Sequence, residues 1–443
     1  MGAFTNKVDV HQSREDDCKL LGKQRRVVKV LGEGGFGQVL KCCNLETGTM
    51  EAVKVMKSRT GVIEKAKHEI QILKQLRRLD PNTRHVVRFN SFFFNMEDIC
   101  LSFEFLDVDL HAYICETRLY ETGLPLPEVR PITEQLVMAL HQLKTIGIIH
   151  VDIKPGNVMI VDRHEKPPRV KLVDFGGAQM SGNVDFETCI CTQMYSAPEV
   201  LLRSEMNEAL DMWSLGVTAF ELAVGTPMFP YRRRYRLLNS IIKILGQPPD
   251  HVLDKGQQTK QFFNRKTNDH PSWTIKTAEE YGVSDKEDVF NCFDDVAGML
   301  SVLQEHATGL DRFIDLLKNM LQVDPNQRIT PVEALQHLFF TVKEEKAKEL
   351  ETTSKEPCME NIPDIQTNYA VDQLVKPEHV QPETVVSQEN PAEVQPDNSG
   401  EDQLNDGFQT EDNTLNYNCF VNTLRTVGQI IYRTDHFDWF GGF

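Results

Sequence analysis

The chain has no run of about 18 apolar residues, so nothing in it is expected to span a bilayer. Its opening, MGAFTNKVDVHQSRED, lacks the apolar stretch of a secretory leader. Gly2 is followed at position 6 by Asn, not the Ser or Thr of a myristoylation signal. None of the ten cysteines is spaced CxxC, which argues against a zinc site or a disulfide framework and for reduced thiols inside a cell. The close pairs Cys42 with Cys43 and Cys189 with Cys191 read as packing or surface residues. No internal repeat is found. Positive charge is also short: 48 Lys and Arg face 65 Asp and Glu, for a net charge of −17. General nucleic-acid binding is thereby disfavoured.

The acidity is local. Between residues 351 and 420 there are 15 acidic and 2 basic side chains, so −13 of the net charge belongs to that stretch. The remainder is nearly balanced and, with 40% hydrophobic residues over 443 positions, has ample material for a core. Four segments follow from composition and period. Residues 1–23 form an N-terminal extension, and 24–106 alternate as strands broken by one helix. Residues 107–342 are mostly helical in pattern, with an insert at about 227–310. Residues 343–443 form an acidic tail, expected to be disordered because it cannot bury enough apolar area to offset its chain entropy. The tail turns apolar and aromatic at its end, CFVNTLRTVGQIIYRTDHFDWFGGF, which reads as a docking motif or as a sticky end without a partner. The basic run YRRRYR reads as an import signal, a docking face or the solvated edge of a helix.

LGEGGFGQVL, residues 31–40, places Gly32, Gly34 and Gly37 as G-x-G-x-x-G. Glycines let a backbone approach phosphates and aim N–H groups at them. Dinucleotide folds use the same spacing, but there a helix follows directly. Here the chain continues through two strand-like runs around ETGT, so the stretch Leu31, Gly32, Glu33, Gly34, Gly35, Phe36 and Gly37 is expected to be a hairpin lying over a nucleotide. Lys54, 17 residues after Gly37 and on the strand face of Ala52, is placed to meet the α- and β-phosphates. It needs an anion, and Glu69 supplies one at the edge of the helical stripe Ile63, Ala66, Ile70, Leu73 and Leu76. By itself Glu69 reads as one of several surface charges on a Lys-rich helix; the Gly loop and Lys54 make it the partner.

HVDIKPGNVMI then offers Asp152 to accept or orient a hydroxyl proton, Lys154 to neutralise a transferring phosphoryl and Asn157 to hold Mg²⁺. Asp174, in Asp174-Phe175-Gly176, is a second Mg²⁺ ligand, and Ala197-Pro198-Glu199 follows. Each piece alone is a common accident; the ordered set is not.

Over about residues 24–342 the sequence resembles the eukaryotic protein kinases, and within them the homeodomain-interacting protein kinases, relatives of the dual-specificity tyrosine-regulated kinases. HVDIKPGNVMIVD, RVKLVDFGGA, DMWSLGVTAFELAVGTPMFP and FIDLLKNMLQVDPNQRITPVEALQHLFF carry the likeness, and QFFNRKTNDHPSWTIKT and VFNCFDDVAGML in the insert make it specific. The resemblance implies an α+β, two-lobed fold: a small antiparallel β lobe with one helix, and a large, mainly helical lobe. It implies ATP and Mg²⁺, with Phe103 as gatekeeper and Glu104 to Leu106 as the hinge that bonds adenine. Asp109 is implied at the ribose, and Val39, Ala52 and Met159 around the ring. It also implies a structural pair between Glu199 and Arg328, and a structural role for Asp211. Lys154 with Thr192 is the pattern of Ser/Thr specificity. The likeness implies protein substrates, transcription-regulatory proteins among them. The reduced thiols point to a location in nucleus or cytoplasm, and charge and hydropathy to neither direct nucleic-acid binding nor a membrane.

Three departures stand out. Val151 replaces the Arg that precedes the catalytic Asp in many kinases, Cys189 stands where the subfamily has a phosphorylated Tyr, and Ser196 stands where it has an Arg before Ala-Pro-Glu. The missing phosphate acceptor and the missing cations agree with each other, and imply a loop ordered without Tyr phosphorylation. The subfamily's preference for Pro after the phosphorylated residue is associated with the Arg that Ser196 replaces, so the resemblance does not carry that preference to this chain. A pseudokinase-like scaffold that binds partners through the large lobe, insert and tail is the competing expectation.

Overall fold

The computed structural model describes residues 19–342, apart from 35–36, 58–60, 81–84, 118, 183, 185–190, 267–271 and 285–288. Gly35, Phe36, Cys189 and the acidic tail with its aromatic end therefore lie outside the described residues.

The small lobe is a curled antiparallel sheet of β1 (Leu20–Leu21), β2 (Arg25–Gly34), β3 (Gly37–Asn44), β4 (Met50–Met56), β5 (Phe89–Asn95) and β6 (Asp98–Glu104), ordered β1-β2-β3-β4-β6-β5. Leu21, Leu40, Cys42, Val53, Val55 and Cys100 alternate inward to fill the curl, as the two-residue period of a strand requires. A charge is enclosed beside them: Arg25 Nε donates to Glu51 Oε2 at 2.7 Å, while Ser102 and Asn44 donate to the same carboxylate at 2.9 and 3.0 Å. Full pairing of this kind is what makes a buried charge tolerable. Strand β1 pairs with Arg25 and Arg26, so the sheet begins inside the segment read as an extension.

Helix α1 (Val62–Leu76) packs on the sheet, but its buried stripe differs from the one expected. Ala66, Glu69, Ile72, Leu73 and Leu76 are buried, whereas Ile63 is exposed and Ile70 only half-buried. The helix is turned so that Glu69 points inward, and the reason is its partner on β4, described below.

The large lobe begins with β7 (Val108–Asp109), α2 (Leu110–Glu116) and α3 (Leu126–Thr145). Four short strands follow: β8 (Ile148–Ile149), β9 (Val158–Ile160), β10 (Val170–Leu172) and β11 (Gln179–Met180). Strands β7, β9 and β10 form one small sheet and β8 with β11 another, and these fix the loops of the cleft. After α4 (Pro198–Leu201), helix α5 (Ala209–Val224) is apolar on nearly every side and buried from Leu210 to Val224, which makes it the axis of the lobe. The insert contributes α6 (Arg234–Leu245), α7 (Asp250–Lys255), α8 (Thr259–Phe262), the hairpin β12 (Phe263–Lys266) with β13 (Ser272–Ile275), α9 (Ala278–Tyr281) and α10 (Phe293–Leu303). Helices α11 (Leu310–Met320), α12 (Pro331–Leu335) and α13 (Leu338–Thr341) close the lobe. The hairpin is a strand pair that the helical pattern of this half did not announce. Two arginines of YRRRYR are structural: Arg234 donates to the Leu201 carbonyl and Arg236 to that of Ser284. No helix of the described residues is long and apolar enough to cross a membrane.

Candidate active site

Strand register assembles the roof of the cleft. Val39 lies opposite Lys54, and Ala52 lies opposite Phe103. Because cross-strand partners share a face, all four side chains look the same way. Below them Met159 on β9 pairs with Asp109 on β7 and, on the other side, with Lys171 on β10. Val39, Ala52 and Phe103 thus share the roof of the slot, while Met159 is carried by the small sheet of the large lobe. Leu106, two residues after β6, is buried. The Glu104 carboxylate, however, has another occupation: Lys171 Nζ donates to it at 2.6 Å and the Arg88 N–H at 2.7 Å, which ties the hinge to both lobes. Asp109 also has a local task, because its Oδ1 accepts the Ala112 N–H at 2.8 Å and caps α2.

At the mouth of the slot Gly37 has φ 137°, and a Cβ there would stand 1.8 Å from the Val55 carbonyl oxygen. Only glycine lets the hairpin settle this closely on β4. Glu33 Oε1 accepts from Lys57 Nζ at 3.3 Å on the outside of the same hairpin.

Lys54 Nζ donates to both oxygens of Glu69, at 2.9 and 3.0 Å, and to Asp174 Oδ1 at 3.1 Å. Burial pushes the ammonium toward neutrality, but Glu69 and Asp174 outweigh it and hold its pKa above the ordinary value. Lys54 in turn draws the pKa of Asp174 below the usual carboxylate range, against the opposing effect of burial. A Cβ on Gly176 would meet Asp174, Glu69 and Lys54 at 3.3 Å each, so the glycine leaves this triad its room.

The loop after β8 carries the second group. Asp152 Oδ1 accepts the Thr192 hydroxyl at 2.7 Å and the Thr192 N–H at 2.9 Å. Its Oδ2 lies 2.9 Å from Lys154 Nζ and accepts Asn157 Nδ2 at 2.8 Å. Lys154 Nζ also donates to Thr192 Oγ1 at 2.7 Å, so the threonine bridges carboxylate and ammonium. Asn157 Nδ2 donates to the Asp152 carbonyl as well, at 2.7 Å, which turns its amide oxygen to the other side.

What shapes this loop lies 60 residues downstream. Asp211, in the first turn of α5, accepts the His150 N–H at 2.7 Å and the Val151 N–H at 2.9 Å. Val151 adopts φ 75°, a costly conformation for a β-branched residue that persists only where its surroundings impose it. His150 accepts the Asp152 N–H on Nδ1 at 3.3 Å and lies 2.9 Å from the Val173 carbonyl through Nε2, which puts its proton on Nε2. The side chain of Val151 is buried, and Ser196 is buried with its hydroxyl on Cys191 Sγ and the Thr192 carbonyl. Farther down, Glu199 and Arg328 form a bidentate buried pair at 2.6 and 3.1 Å.

One ionisable group escaped the sequence reading. Glu221 sits fully inside α5 and accepts the Tyr195 hydroxyl at 2.6 Å, with burial pushing its pKa up to about 7. An acid in the middle of FELAV was the available signal, since a carboxyl on an otherwise apolar helix needs a partner. A raised native pKa means that the folded state binds more protons than the unfolded chain between pH 4.5 and about 7. The contribution of Glu221 to stability is therefore fully present below pH 4.5 and is lost as pH rises through about 7. Glu221→Gln should flatten the pH dependence of the urea midpoint in this window, by roughly 3 kcal/mol across it. An unchanged slope would remove Glu221 as its source.

A hairpin over a slot, an ion-paired lysine beneath it and an aspartate held between lysine, asparagine and threonine define a protein kinase. The chain belongs to that family: the protein kinase domain matches residues 25–340. It is similar to homeodomain-interacting protein kinase 2 of Mesocricetus auratus, 36% identical over 331 residues that cover 71% of this chain and 28% of the relative. Homeodomain-interacting protein kinase 1 of Mus musculus is 37% identical over 331 residues, covering 71% of this chain and 27% of the relative. Homeodomain-interacting protein kinase 4 of Mus musculus is 33% identical over 344 residues, covering 72% and 55%. The match spans between about a quarter and a half of these relatives' lengths. Such a domain takes ATP as its substrate.

Proposed function

We propose that this chain transfers the γ-phosphoryl group of ATP to Ser and Thr residues of protein substrates, with Mg²⁺ as the metal. The observation that carries this reading is the Thr192 bridge between Asp152 and Lys154, which supports an acceptor site built for an aliphatic hydroxyl. In this scheme Asp152 takes or orients the hydroxyl proton and Lys154 offsets charge on the transferring group. Lys54, held by Glu69, meets the α- and β-phosphates under the hairpin of Leu31 to Gly37, and the ring lies among Val39, Ala52 and Met159.

The Asn157 amide oxygen and the Asp174 carboxylate are hard oxygen donors and would hold the metal, whose chemistry is to neutralise the charge of the phosphates. Among the described residues no group of three or more His, Cys, Asp or Glu forms an all-protein metal cage. Mg²⁺ fits this arrangement because it is usually held by one or two protein ligands together with phosphates and water. The activation segment works without a phosphotyrosine, since Val151 and Ser196 offer no cation to receive one. By its resemblance to the homeodomain-interacting protein kinases, the protein is proposed to act on transcription-regulatory proteins, in nucleus or cytoplasm.

The test is incubation of the full chain with labelled ATP, Mg²⁺ and a generic basic protein, followed by phosphoamino-acid analysis. Phosphoserine and phosphothreonine are expected on the substrate and no phosphotyrosine on the enzyme. Binding of Mg·ATP without any transfer would leave a scaffold instead. Gly37→Ala should raise KM for ATP about tenfold, as roughly 1–3 kcal/mol of backbone strain implies, while Asp152 remains intact. An unchanged KM would show that the hairpin does not lie over the nucleotide.

A further inference from the structure

The outer face of β5 carries an aromatic strip that phosphoryl transfer does not use. Phe92 and Phe94 alternate to one side of the strand and Met96 stands at the turn after it, 41%, 65% and 96% exposed. Phe93 points the opposite way, beneath the Arg25 guanidinium at 4.2 Å. The rings of Phe92 and Phe94 meet edge to face, 6.5 Å apart. Helix α1 borders the strip with cations: Lys74 Nζ lies 5.5 Å from the Phe92 ring, Arg77 lies 5.0 Å above Phe89 and donates to the Asn90 carbonyl, and Arg78 follows, exposed. The tip carries two acids, the exposed Glu97 and the half-buried Asp98. Strand β5 is also the edge of its sheet. An exposed apolar strip on a sheet edge is a feature that proteins cover or use.

The same chain holds a segment of matching chemistry. Its last 25 residues end in Phe437, Trp439, Phe440 and Phe443, with Asp435 and Asp438 set around Phe437 and the two arginines, Arg425 and Arg433, upstream of this aromatic end. Aromatic rings alternating with acids suit a strip of aromatic rings edged by Lys74, Arg77 and Arg78. The preceding stretch, 351–420, has the wrong character for this face, being acidic and poor in aromatic residues. Tether length sets no limit: 94 residues separate Val342 from Phe437, and a chain of that length can reach up to about 300 Å. Covalent attachment raises the effective concentration to the millimolar range, so a weak contact suffices.

We infer that residues 419–443 dock in cis on the strip formed by Phe92, Phe94 and Met96 with the α1 cations. Docking does not depend on phosphoryl transfer, but it acts on the element that serves it. Strand β5 lies against α1, and α1 presents Glu69 to Lys54. A segment seated across both holds α1 in the orientation that closes this ion pair. The tail then supplies the restraint that a phosphorylated activation loop supplies elsewhere.

Hydrogen exchange on the full chain tests the contact directly. Residues 419–443 and 92–98 should exchange about tenfold more slowly than in the Phe437→Ala, Trp439→Ala, Phe440→Ala variant, with protection in α5 the same in both. Phe92→Ser with Phe94→Ser should release 419–443 to the same degree, and added peptide 419–443 should restore protection of 92–98 in the tail variant. Free-peptide exchange of 419–443 in the unaltered chain would overturn the inference. Protection that survives the β5 substitutions would overturn it by placing the segment elsewhere, and protection that rises with protein concentration would do so by making the partner a second copy.

Discussion

Asp152→Asn should lower the single-turnover rate of phosphoryl transfer about 10³-fold, within the range a lost general base produces, and change Mg·ATP affinity far less. The carboxylate accepts on both oxygens: Thr192 hydroxyl and N–H on Oδ1, Lys154 and Asn157 on Oδ2. An amide in its place keeps one accepting oxygen. Its NH₂ then faces either the donors from Thr192 or the donors from Lys154 and Asn157, so one side of the cluster meets donor against donor. The proton of an incoming hydroxyl also loses its acceptor. The nucleotide slot, built from β3, β4, β6 and β9, is untouched. Rapid-quench measurement of one turnover, beside equilibrium titration of nucleotide, separates the two effects. A loss smaller than tenfold would mean that another group takes the proton. Thr192→Ala, which leaves Asp152 charged, should fall between the two.

Arg328→Ala should cost about 3–5 kcal/mol of stability, the range for removing one partner of a buried ion pair. The guanidinium is 3% exposed and spends its donors on Glu199, on the Gln322 carbonyl at 2.9 and 3.0 Å and on the Ala209 carbonyl at 2.9 Å. Its plane also lies 5.2 Å from the Trp213 ring. Truncation leaves Glu199, itself 1% exposed, as an uncompensated charge inside the lobe. Arg328→Met combined with Glu199→Leu removes both charges and should recover more than half of the loss. The urea midpoint reports both variants. If the single variant moved it by less than the equivalent of about 1 kcal/mol, the pair would be worth no more than a surface bridge.

Local signals in the sequence reached surprisingly far, and their limits have physical causes. The Gly37 and Lys54 spacing was readable because a hairpin has a fixed period, and the structure sets Val39 opposite Lys54 as that period requires. Glu69 was readable as a partner, but the orientation of its helix was not. Ile63 fits an apolar stripe as well as Ile72 does, and only the ion pair to Lys54 decides which face turns inward. Asp211 was read as structural, while its two bonds to the backbone at 150 and 151 span a separation that no local pattern reports. Glu221 was hidden because hydrophobic periodicity scores it as an interruption, although burial makes it a partner of Tyr195. The hairpin of β12 and β13 was missed for a different reason. Its strands are four residues each, too short for alternation to stand out, and FNRK and SWTI sit between helical runs.

The hold of Asp211 on the catalytic loop has a consequence for how the molecule is made. A ribosome delivers residues 20–104, and with them every strand of the nucleotide roof, before any of α5 exists. It delivers Asp152, Lys154 and Asn157 next, but a nascent chain halted short of residue 211 has no carboxylate to turn His150 and Val151 into place. Glu199 waits longer still, because its arginine arrives 129 residues later. The catalytic loop can therefore take its final shape only after the first turn of α5 has been made.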